Sequence, residues 1–229
     1  MEDRSTFVDL RNSVLTFLSE YILGTDTDDD LRMQSFYLMG ESFGGLLALD
    51  VAHCIQSDPY HHRYRHLLKG IALINPATSY KQSQLAISGP AVASLSSLLY
   101  PFGLLTLLPL FTDNYAVPQL LLMLQSKALP LIVNNKEREA YMGRVAFSLL
   151  QKLKYMPRET LAWRLKEWLE KGCDSILTNE QNIKTELAHL PILIVVGEKD
   201  NALPSMGEGI RLSSKFNMAY SLQDHDGYR

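Results

Sequence analysis

No stretch of this chain narrows its folding options as much as residues 35–49, Ser-Phe-Tyr-Leu-Met-Gly-Glu-Ser-Phe-Gly-Gly-Leu-Leu-Ala-Leu. Residues 36–39 are a short apolar run of strand-compatible side chains. Gly40-Glu41-Ser42-Phe43-Gly44 follows at once, and residues 45–53 read as a helix rich in Leu and Ala. A Gly-x-Ser-x-Gly pentad is weak evidence alone. Between a strand and a helix it predicts a sharp turn that lifts a serine hydroxyl to the carboxyl end of a sheet. Such a serine takes strained backbone angles, and Gly40 and Gly44 are expected to lack a Cβ because two chain segments approach closely there. The helix turns its positive end toward Ser42, and the Phe43 N–H points where an oxyanion would form. Ser42 is the candidate nucleophile.

Around this turn the chain alternates strand and helix. Residues 6–23 carry Phe7, Leu10, Val14, Leu18 and Ile22 at helical spacing, with Ser5 or Thr6 as N-cap. Residues 70–75 (Gly-Ile-Ala-Leu-Ile-Asn) and 191–196 (Pro-Ile-Leu-Ile-Val-Val) are apolar strands of the kind found in parallel sheets covered on both faces. A helix over 205–215 and a short strand over 218–222 follow. The expected class is α/β, with a mostly parallel, doubly covered sheet. From 77 to 187 no convincing strand occurs, so a helical cap is expected there. It divides the chain into a core with the turn (1–76), the cap (77–187) and a returning core (188–229).

Inside the cap, residues 82–112 contain no charged side chain. Residues 91–111 are long enough to suggest a membrane span, but Pro101, Gly103 and Pro109 break the run, so a span is not expected. A lid of short helices facing an apolar substrate channel is the favoured expectation, and a plain buried core the alternative. Residues 157–172 predict a helix with Leu161, Leu165, Trp168 and Leu169 on one face. Gly172 is expected at its C′ position.

Composition removes several classes of function. A net charge of −3 gives no strong field toward nucleic acid or anionic membrane. Cys54 and Cys173 are too few for a disulfide framework. The six histidines show no metal-binding spacing, so neither metal nor cofactor is expected. The acidic turn at 24–31 lacks the spacing and closing glutamate of a calcium loop.

A serine nucleophile needs a base to accept its proton and a carboxylate to orient that base. Asp200 lies just beyond the carboxyl end of the 191–196 strand, where active-site residues of such sheets gather, and is the candidate acid. The base belongs in the loop after the last strand, where His225 is the available histidine.

Five segments in order carry a resemblance over nearly the whole chain. They are Asp3-Arg4-Ser5-Thr6-Phe7; Tyr37-Leu38-Met39-Gly40-Glu41-Ser42-Phe43-Gly44-Gly45; Asn75-Pro76-Ala77-Thr78-Ser79-Tyr80 with Ser83-Gln84-Leu85; Pro157-Arg158-Glu159-Thr160-Leu161-Ala162-Trp163-Arg164-Leu165-Lys166; and Gly197-Glu198-Lys199-Asp200-Asn201-Ala202-Leu203-Pro204-Ser205. The chain resembles the α/β-hydrolase half of the plant and algal phytyl ester synthase and diacylglycerol acyltransferase family, plastid esterase/lipase-like acyltransferases. The resemblance implies an α/β-hydrolase-like fold with Ser42 as nucleophile and Asp200 as acid. It also implies a fatty acyl donor, a lipid alcohol such as phytol or diacylglycerol as acceptor, and a plastid location. Peripheral membrane or lipid-droplet contact would run through the cap. The family has strands and an oxyanion loop before the Asp3-Arg4 point and a second acyltransferase half beyond the hydrolase half. The expectation is therefore a chain truncated at both ends, with its early strands missing. The family closes its hydrolase half with Gly-His, whereas here Tyr228 follows Gly227. A phenol with a pKa of about 10 cannot replace imidazole as a base near neutral pH.

Three readings follow. In the first, Ser42 attacks an ester or thioester carbonyl, His225 takes the proton, and an alcohol resolves the acyl-enzyme. In the second, water resolves it and the protein is a lipase or carboxylesterase. In the third, the chain is a truncated, catalytically weak or inactive paralogue, or an interaction module.

Overall fold

The computed structural model describes residues 4–22, 35–61, 65–111, 157–198, 200, 202–216 and 219–223. Among these, four strands form one parallel sheet in the order β1-β2-β3-β4: Phe36–Glu41, Leu68–Ile74, Ile192–Val196 and Ala219–Gln223. The apolar runs thus became strands, as their β-branched and leucine content favours.

Helix α1, Phe7–Ile22, starts at Thr6. The Thr6 N–H donates to Asp9 Oδ2 (2.8 Å) and the Asp9 N–H donates to Thr6 Oγ1 (3.2 Å), a reciprocal cap that satisfies two orphan donors. Helix α2, Phe43–Ser57, leaves β1 directly and buries Leu46, Leu49, Val51, Ala52 and Ile55. After β2 come a 3₁₀ segment, Ala77–Gln82, then α3, Gln84–Ala93, and α4, Tyr100–Phe111. Helix α5, Arg158–Trp163, runs into a π-helical segment, Arg164–Glu170, then into α6, Lys171–Thr178, and α7, Glu180–Glu186. Between β3 and β4 lies α8, Ser205–Lys215.

Among the described residues, the connecting helices cover one face of the sheet. In register, Ile71 pairs with Ile192 and Leu73 with Ile194, and all four are fully buried. The opposite face carries Tyr37 and Met39 at 71% and 73% exposure. Strand order supplies the reason. Right-handed crossovers between parallel strands that always step in one direction place every connecting helix on the same face. Placing these helices on both faces requires a reversal in strand order, and β1-β2-β3-β4 has none.

The chain divides into two compact units, residues 1–83 with 163–229, and residues 84–162. This moves the boundaries of the expected 77–187 insertion inward at both ends. Residues 77–83 and 163–187 stay with the sheet because their side chains are bonded there: Cys173 Sγ donates to Thr78 O (3.0 Å) and Ser175 Oγ to the buried Asp50 Oδ1 (3.1 Å). Gly172 is also placed differently from expectation. It lies inside α6, not at a helix end, and an added Cβ would come within 2.8 Å of the Phe7 ring. The glycine serves close packing rather than termination.

In the second unit, α3 and α4 pack so tightly that a Cβ on Gly103 would stand 2.3 Å from Leu95 Cδ1. Arg158 Nη1 donates to Leu95 O (3.0 Å) and ties the start of α5 to the turn after α3. Ile87, Leu98, Leu99 and Phe102 are exposed on this unit. No helix of the described residues is long and apolar enough to cross a membrane.

Candidate active site

Ser42 stands between β1 and α2 with φ 53° and ψ −116°. This is a left-handed conformation that costs a non-glycine residue of the order of 1–3 kcal/mol. The end of β2 and the start of the 3₁₀ segment hold it: the Ser42 N–H donates to Ile74 O (2.9 Å), and the Ala77 N–H donates to Ser42 O (3.1 Å). A Cβ on Gly40 would lie 2.0 Å from Gly44 O, and one on Gly45 would lie 2.9 Å from Pro76 Cβ, whereas one on Gly44 meets nothing within 4 Å. The close approach expected of Gly40 and Gly44 is thus made by Gly40 and Gly45. The Phe43 N–H opens α2, a position with no intrahelical acceptor. Strand, strained serine and helix together give the α/β-hydrolase-like arrangement that the sequence implied.

The Phe43 side chain is held by aromatic contacts. Its ring stacks on Trp168 (centroids 5.2 Å apart, 22° between planes) and meets the edge of Phe7 at 6.0 Å. The Nε1–H of Trp168 donates to Ser5 O (2.7 Å), with the Trp163 Nε1–H on the same carbonyl at 3.4 Å. The Arg164 guanidinium lies 4.8 Å over the Trp168 ring. Helices that widen into π geometry often do so at functional sites, and here that segment presents Trp168 to the residue after Ser42.

Asp200 lies beyond β3, at the same carboxyl end of the parallel sheet as Ser42. Its N–H closes a turn on Gly197 O (3.4 Å). Asp200 Oδ1 accepts from the N–H groups of Ala202 (2.9 Å) and Leu203 (3.1 Å), and Oδ2 accepts from Ser205 Oγ (2.5 Å). These partners all belong to the acid's own loop and the start of α8. His225 and Tyr228 lie outside the described residues.

A buried ionic group anchors α8. Glu208, 3% exposed, accepts from Thr78 Oγ1 and from Arg211 Nε (2.8 Å) and Nη2 (2.7 Å). Arg211 also meets Glu180, which takes Lys215 Nζ at 2.5 Å. Its hydrogen bonds to Glu208 hold the Arg211 guanidinium even further above its ordinary value against the pull of burial. Burial pushes the Cys173 thiol up and, with Glu170 nearby, the Tyr80 phenol to about 12. Neither is poised to ionise near neutral pH. Sequence reasoning quoted Asn75, Thr78 and Ser205 in motifs without giving them a task. Glu208 and Trp168 carried no signal beyond helical spacing.

No family model matches the chain. A curated relative is 31% identical over 184 residues, covering 77% of this chain and 23% of its own length. It is phytyl ester synthase 1, chloroplastic, of Arabidopsis thaliana. The chain therefore spans about a quarter of that relative (23%) and is similar to an esterase/acyltransferase-type protein. Among solved structures, a carboxylesterase study of the thaumarchaeon Nitrososphaera gargenis supplies a neighbour at 12% identity and a TM-score of 0.46, covering 97% of this chain and 65% of the other. At that score the likeness carries no argument about this chain.

Proposed function

We propose that this protein transfers fatty acyl groups through a covalent ester on Ser42, with a lipid alcohol such as phytol or diacylglycerol as acceptor. The observation that carries the reading is the strained backbone of Ser42, φ 53° at a strand-to-helix turn, because such strain concentrates at functional sites. The Ser42 oxygen attacks the carbonyl carbon of an ester or thioester. Its proton passes to His225, oriented by Asp200, and the carbonyl oxygen becomes an oxyanion on the Phe43 N–H. The leaving alkoxide or thiolate takes the proton from His225. An incoming alcohol then repeats the sequence in reverse, and water in that place gives an ester hydrolase instead.

The relative named above supports the acyl-transfer class and a plastid location. The unit of residues 84–162 supports a lipid substrate. Its stretch 84–112 is uncharged and exposes Ile87, Leu98, Leu99 and Phe102, which suits contact with a membrane or lipid-droplet surface. A catalytically weak paralogue is the second reading, favoured by Asp200, whose carboxylate already accepts three hydrogen bonds, two from its own loop and one from Ser205 of α8.

A fluorophosphonate probe separates the two. Labelling that disappears in Ser42→Ala supports the first, and absence of labelling in the unaltered protein overturns it. Product analysis with acyl-CoA, phytol and diacylglycerol then distinguishes transfer from hydrolysis. Sedimentation with neutral phospholipid vesicles checks the lipid contact, with Leu98→Glu/Phe102→Glu expected to release the protein.

A further inference from the structure

Asn75 is the second non-glycine residue of the described chain at positive φ, 41°. It follows β2 directly, beside the turn that carries Ser42, and a chain of hydrogen bonds runs through its neighbourhood. Its N–H donates to Val195 O (2.8 Å), which fixes it to β3. Its side-chain Oδ1 accepts the Gly197 N–H (2.7 Å). Gly197 is the foot of the turn whose carbonyl accepts the Asp200 N–H. One residue before Asn75, Ile74 O receives the Ser42 N–H, and two residues after it, the Ala77 N–H returns to Ser42 O. Farther along, Thr78 Oγ1 donates to buried Glu208 of α8, the helix whose first residue, Ser205, donates to Asp200 Oδ2.

We infer that Asn75 is a positioning residue, which sets the Asp200 turn relative to Ser42 through its side-chain bond to the Gly197 N–H. The inference rests on the acyl-transfer reading of Ser42 and Asp200. The left-handed angle is what makes an asparagine suitable. Asparagine tolerates positive φ better than other non-glycine residues, and at this angle its short amide reaches across to the next strand's loop. Glycine would tolerate the angle but carries no acceptor. Most other residues would carry a Cβ penalty. The same loop therefore holds the nucleophile by its main chain and the acid turn by one side chain.

The test measures the rate of fluorophosphonate labelling of Ser42 in the full chain, with thermal midpoints recorded alongside. Asn75→Gly keeps the backbone angle accessible and removes only the acceptor. Labelling is expected to slow by about 10- to 100-fold, the scale of a misplaced catalytic group, with little change in midpoint. Asn75→Asp, which keeps an acceptor at the same point, restores most of the rate. In an Asp200→Asn background, Asn75→Gly is expected to add less than about twofold, because sites that act through one another are not additive. A residue that merely supports the fold would slow labelling equally in both backgrounds.

If Asn75→Gly does not fold, Gly197→Pro deletes the same bond from the donor side. An added Cβ there meets nothing nearer than Asn75 Nδ2 at 3.6 Å, and the proline Cδ, standing where the N–H was, forces the Asn75 amide aside. Labelling at the unaltered rate in Asn75→Gly, equal slowing in both backgrounds, or failure of Asn75→Asp to restore the rate overturns the positioning role alone. An Asp200→Asn protein that labels at full rate overturns the acid assignment as well, and absence of labelling in the unaltered chain overturns the whole reading.

Discussion

At residue 42 the backbone angles and the side chain make opposite demands. The φ of 53° favours glycine, while the proposed chemistry needs a hydroxyl. Ser42→Gly is therefore expected to melt above Ser42→Ala, by about 2–4 °C for each kcal/mol of strain relieved in a domain of this size, with both variants silent toward the probe. Differential scanning calorimetry on the two proteins reads this directly, and equal midpoints would remove the strain argument. Around the serine, the glycines divide. Gly40→Ala is expected to yield no folded protein, since its Cβ would sit 2.0 Å from Gly44 O. Gly44→Ala is expected to fold and label, since its Cβ meets nothing. Circular dichroism and labelling rates distinguish the outcomes. The strained turn at Ser42 was legible in the sequence because five consecutive residues mark it, although bonds from Ile74 and Ala77 hold it. Asn75 was not, because its partner lies 122 positions away and nothing local marks the pairing.

Among the elements, those built from unbroken apolar runs were legible and those built on long-range polar bonds were not. Strands β2 and β3 announced themselves, as did α8, whose bounds matched expectation. Helices α6 and α7 were expected only as unbounded parts of the helical insertion, and contacts distant in sequence place them: the buried Cys173, Ile176 and Ile183, Ser175 on Asp50, and Glu180 on α8. The join between Glu180, Arg211 and Lys215 has a pH signature. Burial pushes the Glu180 carboxyl up, but the hydrogen bonds from Lys215 and Arg211 outweigh it and leave the group below its ordinary 4.5. A lowered folded value means that the contribution is fully present above the unfolded value. It is lost as pH falls from about 4.5 through the folded one. Urea midpoints of the unaltered protein are expected to fall over that window more steeply than those of Glu180→Gln, and parallel curves would place the acid sensitivity elsewhere. At the other end of the element scale, Thr6→Ala is expected to cost about 1 kcal/mol through loss of the α1 cap, measured by the same titration at neutral pH.

Across the whole molecule, strand order decides which surfaces are dry. The parallel class was legible from alternation, but the side on which the described helices lie was not, because it depends on strand order, a property absent from any local pattern. In consequence β1 is an edge among the described residues and displays Tyr37 and Met39 to solvent. Apolar edge strands template association. The double variant Tyr37→Lys/Met39→Lys is expected to lower concentration-dependent light scattering while leaving probe labelling of Ser42 intact. Scattering unchanged by both lysines would assign the association to another surface. The tryptophan placement has a consequence of a different kind. The chain holds two tryptophans, both aimed at the Ser5 carbonyl, and one indole lies flat against the ring next to Ser42. Ultraviolet light absorbed selectively by indole is thus re-emitted from beside a single serine. If Ser42 takes up an acyl group as proposed, the colour or yield of that emission is expected to change in a stopped-flow instrument without any added dye, and emission unchanged on mixing with an acyl donor would count against acylation at this serine.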